Sequence, residues 1–191
     1  MTLRQGVGSG MVACCLLVAA VSVSGQTGGA ETFTATAAVK TAGAAQASAP
    51  VTVVITRKMA HEQVEKLTAA FTAGGPAALR KALTGVPPTG SITLGKGAPT
   101  ATRLTFERPT DTGRLLTIVT DKPIVALGAG VPGAKPTAGY DFAVLDLIID
   151  AQGHGTGTLA PAAKVGVKQG VFVVEDYAAE TVRLTDVKKT K

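Results

Sequence analysis

The stretch that decides the fold covers residues 140–161 and reads YDFAVLDLIIDAQGHGTGTLAP. Within it Leu145, Leu147 and Ile149 alternate with residues of a second face, which is the period-two pattern of a strand with one strongly apolar face. Residues 150–153 supply a turn, because aspartate often begins a turn and glycine accepts the positive φ that closes it. The stretch therefore predicts a long strand, a tight turn and a returning strand.

Strand-like runs separated by turn residues make up most of the remaining chain. They are predicted at 51–57, 91–94, 101–108, 114–120, 124–127, 156–160, 164–167, 171–175 and 181–187. Consecutive short strands of this kind are typical of antiparallel sandwiches and barrels. We expect an α+β fold of mostly antiparallel strands, built as a meander-type sandwich or a partly open barrel with one short helical hairpin packed on it.

The helical hairpin is predicted between residues 60 and 85. Val64 and Leu67 share one face of a helix over 60–73, and Leu79 and Leu83 share a face of a second helix that begins at Pro76. Two glycines at 74–75 separate the two helices, because glycine is the residue that most often ends a helix.

Three parts of the chain are distinguished by composition. Residues 1–25 resemble a signal peptide, because the apolar run at 11–23 is too short to span a bilayer. A lipid anchor on Cys14 is an alternative, but most of the apolar run follows this cysteine. Residues 26–50 are predicted to be a flexible N-terminal segment with a strand at 32–40, and 51–191 a single globular domain. The chain is thus expected to be exported, to the periplasm or the medium.

Composition excludes several classes of function. Both cysteines, Cys14 and Cys15, lie in the predicted leader, so thiol catalysis, disulfides and cysteine zinc sites are not expected in the mature chain. The formal net charge is +6, but the basic residues are scattered and tryptophan is absent, which disfavours a nucleic-acid partner. An envelope protein or an anionic envelope polymer is the expected partner. No transmembrane segment is predicted in the mature chain.

One glycine-rich motif resembles a cofactor-binding loop. Residues 128–133 match G-x-G-x-x-G after a predicted strand. A dinucleotide site needs a helix to begin at this point, whereas Pro132 and Pro136 oppose one. The segment is therefore predicted to be a loop, and no cofactor is expected.

His61 and Glu65 form the first candidate metal pair. They are spaced i, i+4 on a predicted helix and could hold a metal if other ligands arrived. The alternative is an exposed first turn whose acids are favoured by the helix dipole.

Asp146, Asp150 and His154 form the second candidate site, as weak candidates for catalysis. The two aspartates lie four residues apart on one strand, about 13 Å at the usual rise, which is too far for a glycosidase pair. For Asp146 we expect an arginine or lysine partner on a neighbouring strand. His154 is expected to be an exposed turn residue.

Several short motifs resemble those of exported bacterial proteins of unknown function. They are Arg108-Pro109-Thr110, the step at 121–124, the run at 139–141 and the closing run at 183–187. The resemblance extends over about 51–187. It implies an exported domain, but it implies no activity, cofactor or site residue.

We therefore expect a non-catalytic exported binding or accessory module. A small hydrolase or metal-dependent enzyme that uses Asp146, Asp150 and His154 is one alternative. A carrier of a small apolar ligand is another, with a cavity between sheet and helices. The expected lining of that cavity is Leu67, Phe71, Leu104, Phe106 and Leu145.

Overall fold

The computed structural model describes residues 29–40, 46–124, 139–168, 170–177 and 181–191, without the side chains of residues 39, 40, 46 and 47. The predicted signal peptide, the lipid-anchor alternative at Cys14, most of the predicted strand at 124–127 and the glycine-rich motif at 128–133 lie outside these ranges.

The described ranges contain strands and one interrupted helix. In chain order they are β1 (Glu31–Lys40), β2 (Gln46–Ile55), α1 (His61–Thr84), β3 (Gly90–Leu94), β4 (Thr100–Thr110), β5 (Gly113–Thr120), β6 (Phe142–Asp150), β7 (His154–Lys168), β8 (Val171–Tyr177) and β9 (Val182–Lys189). Across these ranges, no helix is both long and apolar enough to cross a bilayer.

The strands form a closed antiparallel barrel. Strands β1 to β7 pair in succession, β7 also pairs with β9, and β9 pairs with β1, which closes a ring of eight strands. Strand β8 stands outside this ring and pairs with the outer part of β7. The predicted fold class is confirmed. The barrel is closed rather than partly open because β9, the last strand, pairs with the first one.

The hairpin that the opening stretch predicts is present as β6 and β7. Its register places Ile149 opposite Gly155. Leu145, Leu147 and Ile149 point into the barrel and are 0% exposed. The returning strand is longer than expected, because β7 continues past Pro161 to Lys168. A register shift against β6 near this proline lets the strand continue, as prolines in strands usually require.

The interior of the barrel is filled by side chains from the ring strands. Their common feature is an inward position in the alternation of each strand. They include Phe33, Val51, Val53, Ile55, Ile92, Leu116, Ile118, Leu145, Leu147, Ile149, Leu159, Val182, Leu184 and Val187. The barrel is therefore a packed core.

A second core lies outside the barrel, between α1 and the outer faces of β4 to β7. Its buried members include Met59, Val64, Leu67, Leu79, Leu83, Leu104, Val119, Phe142, Val144, Ala160, Ala163 and Val165. As predicted, α1 consists of two segments, because Gly74 and Gly75 leave the helical conformation and Gly75 has a φ of 65°. Both segments send their buried leucines into this one cluster.

The apolar face of β4 points away from the barrel interior, and its polar face points inward. Leu104 and Phe106 face the helices, whereas Thr105 is buried opposite Ile118 in the barrel wall. The predicted cavity is therefore corrected, because Leu145 lies inside the barrel and the other four residues of its lining lie outside. These five side chains are on opposite sides of the sheet and cannot line one cavity.

The N-terminal boundary of the fold lies earlier in the sequence than expected. The strand predicted at 32–40 is β1, and residues 46–50 belong to β2. The predicted globular domain, 51–191, leaves out both of these segments. Both strands are walls of the ring, with Phe33, Ala35 and Ala37 in the interior, so the barrel cannot close without them.

Candidate functional site

Asp146 lies half-buried on the outer face of β6. Its Oδ1 accepts a hydrogen bond of 2.7 Å from the hydroxyl of Thr117 on β5. Among the described residues, no ion pair includes Asp146, so the expected arginine or lysine partner is replaced by this hydroxyl. Thr117 is opposite Asp146 in the register, which brings the two side chains together on one face.

Asp150 and His154 lie at the two ends of the β6–β7 turn. Asp150 Oδ1 accepts backbone N–H groups from Gln152 at 2.9 Å and from His154 at 2.8 Å. The carboxylate therefore holds the turn closed, and the exposed His154 takes part through its backbone. In the described ranges, no three histidine, cysteine, aspartate or glutamate residues lie close enough to hold a metal ion.

His61 and Glu65 lie on the exposed side of the first helical turns. Their side chains approach to 3.3 Å, as the i, i+4 spacing predicted, and are 70% and 62% exposed. The imidazole also lies 6.1 Å from the ring of Phe106. The structure thus brings this pair together, and among the described residues no third metal-ligating side chain joins it.

An ion cluster that the sequence did not predict lies at the end of the barrel where β1 begins. We call it the mouth cluster, and it consists of Glu31, Lys58, Glu107, Arg114 and Lys189. Lys58 lies in the loop that follows β2. The other four residues lie on strands: Glu31 on β1, Glu107 on β4, Arg114 on β5 and Lys189 on β9. Glu31, Glu107, Arg114 and Lys189 continue the inward faces of their strands, so the cluster lies across the end of the packed interior.

Glu31 is the centre of the mouth cluster. Arg114 binds both of its carboxylate oxygens, at 2.8 and 3.1 Å, and Phe33 lies 5.9 Å below the guanidinium. Lys189 Nζ is 2.7 Å from Oε1 and Lys58 Nζ is 3.0 Å from Oε2. Because β1 and β5 are on opposite sides of the ring, the Glu31–Arg114 pair spans the mouth of the barrel.

Glu107 completes the cluster as its second carboxylate. Its Oε2 lies 2.5 Å from Lys58 Nζ and 2.9 Å from Arg114 Nη1. The cluster therefore joins three cations to two carboxylates, and every cation in it contacts at least one acid.

Burial and ion pairing act in opposite directions on these groups. Burial raises the pKa of Glu31, but hydrogen bonds from Arg114, Lys189 and Lys58 outweigh it and lower this pKa to about 2. The pKa of Glu107 is lowered in the same way, with burial opposed by Lys58 and Arg114. Both carboxylates are thus charged at neutral pH, so the cluster is suited to fastening strands and poorly suited to proton transfer.

No local signal in the sequence marks the mouth cluster. Glu31 lies in a small-residue segment, and Arg114 is 83 residues further along the chain. The one usable hint is the alternation of side chains along each strand. It places Glu107 on the same face of β4 as Thr105, and Arg114 on the same face of β5 as Leu116. That hint requires knowledge of which face of β4 points inward.

A candidate binding surface that the sequence did not predict is the edge of β8. The outer part of β7 and β8 form a two-stranded extension of the sheet, which we call the outer arm (Lys164–Lys168 and Val171–Tyr177). Within the described ranges β8 pairs with β7 alone. Its first four residues, 171–174, are apolar and half-buried, and Tyr177 at its end is 46% exposed.

A scan against protein-family models, a search of curated proteins and a search of solved structures all found no match to this chain. A proposal of function therefore has to be argued from the residues of this chain.

Proposed function

We propose that this chain is a non-catalytic exported binding module that binds an extended segment of a partner protein along β8. The observation that supports the proposal is the position of β8. It pairs with β7 on one side and, within the described residues, with no strand on the other. A strand edge with unpaired N–H and C=O groups is a template for strand addition.

The first half of β8 lacks the features that usually protect an edge. Proteins commonly protect edges with proline, charged residues or bulges. Residues 171–174 read Val-Phe-Val-Val and contain none of these. The register shift against β7 falls later, at Glu175, which has no paired residue on β7. The unprotected part of the edge is thus the apolar half.

The charge of β8 favours a particular kind of partner. Glu175 and Asp176 are exposed and follow the apolar half directly. The hydroxyl of Tyr140 donates a hydrogen bond of 2.5 Å to Asp176, and the pKa of Asp176 is lowered by that bond and by the backbone N–H of Tyr177. A partner strand with apolar residues beside 171–174 and basic residues beside the two acids fits this surface.

Peptide binding to the full chain tests the proposal. The probe is a labelled peptide of alternating valine and threonine that ends in two lysines, and its matched control ends in two glutamates. Fluorescence anisotropy is expected to show at least about fivefold tighter binding of the basic peptide, or about 1 kcal/mol. Hydrogen exchange of the β8 amides should slow in the complex. Equal binding of both peptides, or exchange protection elsewhere, contradicts the proposal.

Two proline variants show whether the β8 edge carries the binding. Consecutive amides of a strand point to opposite sides, so Phe172→Pro and Val173→Pro remove one N–H that faces β7 and one that faces outward. The variant that keeps the β7 ladder, identified by exchange of the β7 amides, is expected to lose peptide binding. Light scattering provides a further test, because a stable dimer that the same proline abolishes would assign the edge to a second copy and overturn the proposed partner.

A further inference from the structure

We propose that β9 is a releasable strap of the barrel, which detaches from β1 and β7 while the other ring strands stay paired. Under this proposal the mouth cluster fastens its end. The proposal concerns the pairing of β9 with β1 and β7 and does not depend on the function proposed for β8.

Both ladders of β9 are interrupted at nearly the same height. The ladder with β1 runs from Phe33 opposite Lys189 to Ala38 opposite Arg183 and is broken between Thr34 and Thr36. The ladder with β7 is broken between Gly155 and Gly157. A strand whose two ladders are interrupted at the same position breaks fewer continuous hydrogen bonds when it detaches than a strand with uninterrupted ladders does.

The cause of both interruptions is a bulge at Asp186. This residue has a φ of 52°, which places it in the left-handed region, where aspartate is tolerated better than most residues. Its Oδ2 accepts a hydrogen bond of 3.2 Å from the hydroxyl of Thr185 beside it. The bulge thus belongs to β9 itself and weakens its pairing with both neighbours.

Two ladders of the ring, β1–β2 and β5–β6, lack such a break, whereas β4–β5 and β6–β7 each contain one register shift, which does not lie at one level on both sides of a strand. The β1–β2 ladder runs without interruption from Glu31 opposite Ile55 to Lys40 opposite Gln46. The β5–β6 ladder is also uninterrupted. The ring is therefore expected to open at β9 before it opens at these hairpins.

The end of β9 is fastened where the chain reaches the mouth of the barrel. Lys189 Nζ lies 2.7 Å from Glu31 Oε1, and its backbone N–H donates to Gly153 O at 2.7 Å. The N–H of Thr190 donates to Thr32 O at 2.7 Å. Loss of the Lys189 ion pair removes one of these attachments without disturbing the Glu31–Arg114 pair.

Release of β9 would change the surface of the molecule in a defined way. It would expose the edges of β1 and β7 and open one wall of the interior, next to Phe33 and Leu159. The hairpins β1–β2 and β4–β5 would remain, because their pairing does not involve β9.

Hydrogen exchange of the full chain, followed by mass spectrometry, tests the strap. The amides of β9 are expected to exchange at least about tenfold faster than those of β5 and β6, the rate change that corresponds to about 1.4 kcal/mol. Equal exchange rates in all ring strands, as in a single global opening, would overturn the proposal.

A disulfide staple provides the sharper test. In a Cys14→Ser/Cys15→Ser background, Thr36→Cys with Thr185→Cys joins β1 to β9 at paired residues. The matched control, Thr34→Cys with Thr52→Cys, joins β1 to β2. The first staple should slow exchange of β9 about tenfold relative to its reduced form, and the control should leave it unchanged. Equal protection by both staples contradicts a strap.

Lys189→Met tests the contribution of the Lys189–Glu31 ion pair to holding β9, without an engineered disulfide. The variant keeps the aliphatic stem and leaves Glu31 bound to Arg114 and Lys58. It should accelerate exchange in β9 about twofold to fivefold and leave the β5 amides unchanged. An equal acceleration in β5 would show that the ion pair stabilises the whole barrel and not the strap.

Discussion

Glu31 shows how one side chain can connect opposite walls of a barrel. Its carboxylate accepts two hydrogen bonds from Arg114 on β5 and contacts Lys58 and Lys189 on its other sides, and the side chain is 8% exposed. A buried carboxylate that loses its partners is costly, and so is a buried cation that loses its acid. The mouth cluster is therefore expected to respond strongly to substitution of this residue.

Glu31→Gln is expected to lower the free energy of unfolding by about 3–5 kcal/mol, because it leaves Arg114 and the two lysines with only one carboxylate. Urea titration followed by circular dichroism measures the change. Glu62→Gln, on the exposed side of α1, is the matched control and should change stability by less than about 1 kcal/mol. Similar losses in the two variants would show that the cluster adds little.

The pH dependence of stability follows from the same residue. The pKa of Glu31 is about 2 in the folded chain, against an ordinary value of 4.5. As the pH falls, Glu31 takes up a proton in the unfolded chain before it does so in the folded chain. The stabilisation that the ionised Glu31 gives the fold is therefore complete above pH 4.5 and is lost as the pH falls through about 2.

The loss should reach about 3 kcal/mol over this range, since each pKa unit is worth about 1.4 kcal/mol. Urea midpoints measured at neutral pH and in acid provide the test. In Glu31→Gln, the free energy of unfolding should fall less steeply as the pH is lowered into the acid range. The smaller dependence that remains is expected from Glu107. An identical acid limb in the variant would contradict this assignment.

At the scale of the element, β6 combines three environments along nine residues. Its inward side chains are fully buried, Val144 on the other face is covered by the helices, and Ile148 on that same face is 53% exposed. Alternation sets which residues share a face, but the neighbouring elements set how deeply each face is covered. Two adjacent aliphatic residues of similar size therefore differ sharply in their expected contribution.

Leu147→Ala is expected to destabilise the fold by about 2–5 kcal/mol, because it removes packed atoms from the barrel interior and leaves a cavity. Ile148→Ala is the matched control and should cost less than about 1 kcal/mol, since more than half of the side chain is in solvent. Chemical unfolding of both variants measures the difference. A larger loss for Ile148 would show that β6 is rotated from this arrangement.

At the scale of the whole molecule, one sheet is shared by two cores. Strands β4 to β7 bury one face in the barrel and part of the other beneath α1. Such two-sided burial makes the helices part of the cooperative unit, because their removal would expose Leu104, Val119 and Val144 on strands that also build the barrel.

Leu83→Ala, which alters only the outer core, is expected to destabilise the barrel and the helices together by about 2–5 kcal/mol. Far-ultraviolet circular dichroism reports the helices, and hydrogen exchange of β6 reports the barrel. Both should shift by the same free energy. Lys81→Ala, on the exposed side of the same helix, should leave both within about 0.5 kcal/mol. Separate transitions would show that the cores unfold independently.

The sequence by itself determined the features that depend on neighbours along the chain. The β6–β7 hairpin follows from the alternation of Leu145, Leu147 and Ile149 and from a turn that ends in Gly153. The division of α1 follows from its two glycines. These signals are local, because side-chain periodicity and glycine conformations act within a few residues.

Only the tertiary structure decided ring closure, the inward face of β4 and the mouth cluster. Leu104 and Phe106 form an apolar face in the sequence, but the second core takes that face and leaves Thr105 and Glu107 to the barrel. Glu31 acquires its role from Arg114, which is remote in the chain and brought near by strand order. Pairing between distant segments sets these contacts, and the local sequence does not encode them.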